Sequence, residues 1–343
     1  MYDAIVIGAG PAGCTAAKTL AEQGGSVLLV EKFALPRYKS CSGVLIKKSM
    51  ELTERYFGES VPEIALCSPA ENKGMIFTDD RGKEYRFEQE GRNVWRGEYD
   101  NWLARKAESA GAELRDNTTA VGCAEYSDHI EAILNCGGFR TEKARYIVDC
   151  EGVVGAFKRR LTGKAAEYVT TYQTFNDGSV DSDPHYFYAY LQPELSEYDA
   201  WFNVKDDKLV LGVSVTDTDK TEEYYAKFLE YMRRKHGLVI SKRLREEKWL
   251  MPRIRPDFHI DFAIGRVLFA GEIAGFLNPM GEGISAALES GYLAACAIRE
   301  NFCDPVKAAE EYRKAAAPLR TYMERQWRFV GSIAGTFSEM NAR

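Results

Sequence analysis

Four consecutive apolar residues, Ala4 to Ile7, form a run dense enough for a strand buried on both faces. A second run, Ser26 to Val30, ends on Glu31, and the stretch between the two reads as a helix. Past a loop broken by Pro36, an amphipathic helix follows, and then the pattern changes to alternation. Residues 73–89 alternate about a turn at Asp79, Asp80, Arg81 and Gly82, and residues 118–135 about Ser127 and Asp128, so each predicts a hairpin. Between them lies strand, helix, strand, with Trp102, Leu103 and Ala107 facing the core and Gly111 as C-cap. Ile147 and Val148 end another buried strand, after which Asp149, Glu151 and Gly152 open a helix carrying Lys158, Arg159 and Arg160.

From 165 to 255 the texture turns aromatic. Strands over 168–175, 185–192, 199–204 and 208–215 precede a helix over 222–237, which predicts an antiparallel sheet with one aromatic face, inserted between two pieces of the first domain. Such a face is either plain core or the wall of an apolar ligand chamber. Val267 to Ala270 restore the first pattern. A loop with Asn278, Pro279, Gly281, Glu282 and Gly283 then opens a long helix with Ile284, Ala287, Leu288, Gly291, Ala295 and Ile298 on one face. The last forty residues read as helices punctuated by Pro318.

Chemistry enters at the first turn. Gly8, Gly10 and Gly13 give G-x-G-x-x-G between a strand and a helix: the first allows the tight turn, the second a close approach by pyrophosphate, the third close packing of helix on sheet. Glu31, ending the second strand, is placed to accept hydrogen bonds from an adenosine ribose. Together these predict a dinucleotide site, with phosphates on the helix N-terminus. Arg96, at a strand-to-helix junction, either contacts the cofactor or pairs with Asp100 on the next turn.

Composition narrows the partners. The chain has 343 residues and a net charge of −6, which argues against nucleic acid as the main partner. The apolar stretch from Phe262 to Met280 is interrupted by Arg266 and Glu272, so any membrane contact is expected to be peripheral; with the first strand starting at Tyr2, no signal peptide is expected and a cytoplasmic location is. The eight cysteines form no C-x-x-C and have no histidines at ligand spacing, so no metal is expected. Cys41 stands apart, in a loop with Arg37 and Lys39: it is either a buried thiol or a redox-sensitive cysteine made acidic by those two cations. Nothing in the sequence signals an oligomeric state.

The glycine turn, the Asp149 to Gly152 junction and the strand–loop–helix over 267–290 together resemble the FAD-binding fold of p-hydroxybenzoate hydroxylase-type flavoproteins and the geranylgeranyl reductase family. Pro36–Arg37–Tyr38–Lys39–Ser40–Cys41–Ser42–Gly43 is similar to that family's P-R-x-K-x-C-G-G, with Ser42 at the first of its two glycines. The usual D-G and G-D appear here as Asp149–Cys150–Glu151–Gly152 and Gly271–Glu272. The resemblance implies an α/β fold: a Rossmann-like FAD-binding domain (1–70, 91–164, 256–303), an inserted antiparallel-sheet substrate domain of α+β type (71–90, 165–255) and C-terminal helices (304–343). It also implies a cofactor set of Gly8, Gly10, Pro11, Ala12 and Gly13; Glu31 and Lys32; Arg37, Cys41, Ser42 and Gly43; Arg96; Gly152; Gly271 and Glu272; and Pro279, Gly281, Gly283 and Ile284.

Gly281 and Gly283 would let N–H groups at a helix N-terminus favour the negative charge of reduced flavin. Cys41 is implied over the flavin, as proton donor or steric wall. Tyr188 and Tyr190, with Pro193, match the family's Y-x-W-x-F-P loosely, Gln192 standing at the phenylalanine position, and become catalytic candidates. The expected activity is an FAD-dependent oxidoreductase that reduces a carbon–carbon double bond of an apolar, isoprenoid-like small molecule. A monooxygenase of an aromatic or polyketide-like molecule and a non-catalytic electron-transfer flavoprotein are the alternatives. No second G-x-G-x-x-G exists to hold a nicotinamide, so NAD(P)H or another electron donor is expected to act transiently.

Overall fold

The computed structural model describes residues 1–164, 167–253 and 259–335. The expected domain borders at 165 and 255–256, and the end of the C-terminal helices at 336–343, lie outside the described residues. In chain order β1 (Tyr2–Ile7), α1 (Pro11–Glu22) and β2 (Val27–Val30) come first, then β3 (Val44–Ile46) and α2 (Lys47–Phe57). The hairpin β4 (Leu66–Thr78) and β5 (Glu84–Val94) leads to α3 (Arg96–Ser109) and β6 (Glu113–Arg115). Next come β7 (Thr119–Glu125), β8 (Ile130–Asn135), β9 (Phe139–Asp149) and α4 (Ala156–Thr162). The inserted part holds β10 (Tyr168–Ser179), β11 (Tyr186–Tyr190), β12 (Ala200–Lys205), β13 (Lys208–Val215), α5 (Thr221–His236) and β14 (Val239–Pro252). The chain then adds β15 (Ala263–Ile264), β16 (Val267–Phe269), α6 (Ile284–Glu300), α7 (Pro305–Ala315) and α8 (Ala317–Ile333).

Two sheets share the strands. The first runs β15-β16-β9-β1-β2-β6, with β7 and β8 attached beside β9. Here β1 pairs in parallel with β2 (Ala4 opposite Val27) and with β9 (Ile5 opposite Ile147), so its apolar run is covered on both edges and faces. Helices α1 and α6 pack so closely that a Cβ added at Gly291 would lie 2.2 Å from the Ala12 carbonyl oxygen. This contact aims the N-termini of both helices at one cleft. Glu151 accepts from the N–H groups of Phe157 and Lys158, capping α4, which begins at Ala156 rather than at the acids themselves.

The second sheet runs β14-β10-β13-β12-β11-β4-β5-β3. Its pairing reaches past the expected 71–90, taking in all of β4 and β5 and the short β3. The sheet is not wholly antiparallel, since β11 pairs with β4 in parallel. Period-two alternation splits its side chains. Tyr172, Tyr188, Tyr190, Phe202 and Leu211 face α5, where Tyr225, Phe228 and Met232 close a second core. Gln173, Phe187, Trp201 and Ser214 face the first sheet across the cleft. Strand β14 was not foreseen: it is an edge strand with exposed charges along most of its length, a common protection for an open sheet edge, and such a run carries no hydrophobic alternation.

Replacing Gly291 with alanine should overpack the α1–α6 contact and lower stability by about 1–3 kcal/mol, read as a fall in the urea midpoint with an unchanged slope.

Candidate functional site

A cleft of about 400 Å³ runs between the sheets, from Glu31 and Lys32 at one end to Phe187 and Trp201 at the other. At the first end Gly8 has φ +96° and an added Cβ would lie 2.5 Å from the Cys150 carbonyl oxygen, so only glycine makes this turn. At Gly10 an added Cβ would meet only Arg37 Nη2, at 3.6 Å, which leaves that backbone open to the cleft. No side chain caps α1, whose N-terminus faces the same space with Pro11 and Ala12 on the wall. Glu31 is buried: one oxygen accepts from Ala9 N–H at 3.0 Å and the other from Phe33 N–H at 3.1 Å. A carboxylate has about four lone-pair sites, so acceptor capacity remains for a ribose.

From Glu31 a chain of buried charges leads inward. Arg37 Nε lies 3.1 Å from Glu31, and Arg37 Nη1 lies 3.0 Å from Asp100. Arg96 grips the same Asp100 carboxylate with two bonds, of 2.9 and 3.0 Å. Burial alone would raise the Asp100 carboxyl, but the two guanidiniums outweigh it and hold it below the usual aspartate range. Arg96 makes the pair with Asp100 that one of its two readings expects, and it also lines the cleft.

Cys41 sits at the middle of the cleft wall. Burial pushes its thiol up, yet Arg96, a 3.3 Å bond from the Gly43 N–H, Lys205 and Lys39 together hold it below the ordinary thiol value. Of the two cations in its own loop, Lys39 is among the groups that lower it, while Arg37 is engaged by Glu31 and Asp100. Lys205, fully buried on β12 and stacked over Trp95 at 4.2 Å, was invisible in the sequence because some 160 residues separate it from the loop it supports. Gly43 is needed behind the wall: its φ is +74° and an added Cβ would lie 2.1 Å from the Val94 carbonyl oxygen. Gly13 packs against Gly8, and Pro279 gives its carbonyl to Tyr198 at 3.0 Å; neither forms part of the wall.

Gly152 and Glu272 face one another across the cleft, since a Cβ on Gly152 would stand 3.4 Å from Glu272 Oε2. Beyond them Gly281, with φ +73°, leaves an open approach where an added Cβ would meet only Met251 Sδ, at 3.6 Å. Gly271, Gly283 and Ile284 line this end, and Lys32 and Ser42 line the cleft elsewhere. The α6 N-terminus is not bare. Glu282 accepts from the Ser285 N–H and hydroxyl, both at 2.8 Å, and from Ser49 at 3.2 Å, forming a cap that the emphasis on glycines passed over.

The last third of the cleft is apolar, with Met75, Phe87, Phe187, Trp201 and Met251 on its wall. Gly212 makes room for the Trp201 indole, which a Cβ there would strike at 2.1 Å. Tyr188 and Tyr190 require correction as catalytic candidates, because both point to the opposite face of the sheet. The Tyr188 hydroxyl bonds to the Asp183 carbonyl at 3.3 Å, and that of Tyr190 to His236 Nε2 at 3.1 Å, inside the core under α5. The cleft-facing carboxyl there is Asp199, pushed up to about 6 by burial against a hydrogen bond with Ser214.

An uncapped helix N-terminus with an open glycine, an acid beyond it, and a second glycine-opened helix end farther along suit an elongated dinucleotide. The sequence matches the FAD binding domain family over residues 1–281. The chain belongs to that family. It is 26% identical to a digeranylgeranylglycerophospholipid reductase of Methanosarcina acetivorans, over 96% of this chain and 81% of that protein. Among solved structures, a geranylgeranyl bacteriochlorophyll reductase-like protein of Thermoplasma acidophilum superimposes with a TM-score of 0.80 at 20% identity, covering 95% of this chain and 84% of the other. A flavin-dependent brominase, Bmp2, in triple-mutant form, gives 0.73 at 18% identity, covering 94% and 87%. The protein is an FAD-dependent oxidoreductase with geranylgeranyl reductase relatives, as the loop around Cys41 led us to expect. Among the described residues no helix is long and apolar enough to cross a membrane.

Replacing Asp100 with asparagine leaves two buried guanidiniums without their shared anion and should cost about 3–5 kcal/mol at neutral pH, measured by urea unfolding. Because the folded-state Asp100 value is depressed, its contribution is present above the ordinary aspartate range and is lost as pH falls through the folded value. The stability gap between wild type and Asp100→Asn should therefore narrow in acid.

Proposed function

We propose that this enzyme reduces carbon–carbon double bonds of an apolar, isoprenoid-like substrate. The observation that carries the reading is the continuity of the cleft: the space that suits FAD opens past Gly281 directly into a chamber walled by Met75, Phe187, Trp201 and Met251. Bound FAD supplies hydride chemistry at its ring. Gly8, Gly10, Pro11 and Ala12 would hold the pyrophosphate, Glu31 and Lys32 the adenosine end, and Glu272 with Gly152 the ribityl chain. Arg96 and Ser42 would stand beside the ring, and Gly281, Gly283 and Ile284 would orient it. The apolar wall binds the alkene and excludes water, and a side chain on that wall must supply a proton. Support for an isoprenoid comes from the name of the archaeal relative, a reductase of a lipid with geranylgeranyl chains.

At the rim, Phe87 stacks on Phe77 at 5.0 Å and is met edge-on by Phe329 of α8 at 5.8 Å, and both Phe87 and Phe329 are exposed. Such a rim suits peripheral contact with a bilayer from which a lipid chain is drawn. NAD(P)H or another donor would reduce the cofactor between turnovers.

Anaerobic mixing of the reduced, FAD-loaded protein with a digeranylgeranylglycerophospholipid is the test. Return of the oxidised flavin spectrum, with saturated product by mass spectrometry, is expected. Flavin that reoxidises only when oxygen is admitted, with oxygen consumed in step with an aromatic substrate, would instead establish the monooxygenase.

A further inference from the structure

One carboxyl on the cleft wall neither caps a helix nor stands among the groups that would hold the cofactor. Asp199 stands immediately before β12, beside Tyr198, whose hydroxyl reaches the Pro279 carbonyl at 3.0 Å. Its own carbonyl accepts from the Ser214 N–H at 2.8 Å. The residue is thus fixed where the second sheet meets the loop that opens α6, with Trp201 and Met280 on the same wall. Ser214 gives the carboxyl one side-chain hydrogen bond, but its Oδ1 is closed to solvent and has no partner among the described residues, an arrangement that normally persists only where a ligand or a proton completes it.

Cys41 presents the opposite chemistry. Arg96, Lys205 and Lys39 surround it and favour the thiolate, which makes it a poor store for a proton. We propose that Asp199 is the proton donor of the reaction, delivering its carboxylic proton to the alkene carbon that does not receive the hydride, while Cys41 serves as part of the cleft wall. This rests on the reductase reading. With reduced FAD bound as the reductant, the π bond would break as one carbon gained a hydride and the other gained the Asp199 proton. The Asp199 O–H bond breaks, and the carboxylate recovers its proton from water before the next turnover.

Burial favours the protonated Asp199, and an apolar chain filling the chamber deepens that burial. Tyr198 adjoins it in the chain, and the ionisable groups that line the same cleft include Cys41 and Lys39 on the loop before β3, Arg96 on α3, and Glu272 and Glu282 on the segment before α6. The acid form is the active one, so the proton-transfer rate should fall as pH rises through the Asp199 range.

The test uses full-length protein loaded with FAD, reduced anaerobically and mixed with a digeranylgeranylglycerophospholipid or with geranylgeraniol. Asp199→Asn should accept electrons as the wild type does and then reoxidise with the alkene roughly 10²–10⁴-fold more slowly, whereas Cys41→Ser should lose less than about tenfold, the low end of what such groups contribute. Difference infrared spectra of FAD-free wild type against Asp199→Asn should show a carboxylic-acid band that disappears as pH rises through about 6. Equal reoxidation by Asp199→Asn and wild type, or no titrating band, overturns the donor assignment alone. A wild type that neither alkene reoxidises overturns the reductase reading, and the donor assignment with it.

Discussion

The architecture depends on one buried carboxylate shared by two arginines. Asp100 has no exposure, and a charge so placed is tolerated only because Arg37 and Arg96 both reach it, Arg96 with two bonds. Three parts of the chain are joined by this contact: the loop after β2, the start of α3 and, through Arg37, the Glu31 carboxylate that organises the glycine turn. The same Arg96 faces Cys41. The network therefore couples the geometry of the adenosine end of the cleft to the electrostatics of its middle, and removing Asp100 takes from both arginines the anion they share.

Around that network the cleft grades from polar to apolar. Two helix N-termini, brought together by the contact between Gly291 and Ala12, face the polar two-thirds, and Trp201 over Gly212 and Phe187 close the remainder. A cofactor with a charged, hydroxylated half and a flat ring fits such a gradient, and so does a hydrophobic substrate beyond the ring. The cations crowd around Cys41 and lower its thiol, whereas burial raises the Asp199 carboxyl, so the two candidate proton carriers are separated by environment rather than by residue type.

How much of this could be read from the sequence follows from how local each determinant is. The glycine turn, the β1–α1–β2 unit and the loop at 36–43 were legible because their signals lie within a few tens of residues. Face assignment in the second sheet was not. Whether Phe187 or Tyr188 meets the cleft is decided by which side α5 covers, and alternation alone marks two faces without saying which is which. Strand β14 was hidden because an edge strand made of exposed charges has no apolar period. Asp199 and Lys205 reach the site only through sheet pairing with distant strands, and Glu282 was overshadowed by the glycines on either side of it.

Whether one FAD spans both helix ends is decided by the dissociation constant of FAD for Gly10→Val and Gly281→Val, each checked for native circular dichroism. A side chain at either open glycine should block the approach that the cleft leaves there, and each variant should bind FAD at least about tenfold more weakly, the equivalent of ~1.4 kcal/mol. Wild-type affinity in Gly281→Val would contradict the account, because the cofactor would then end short of α6 and its ring would not reach the apolar chamber.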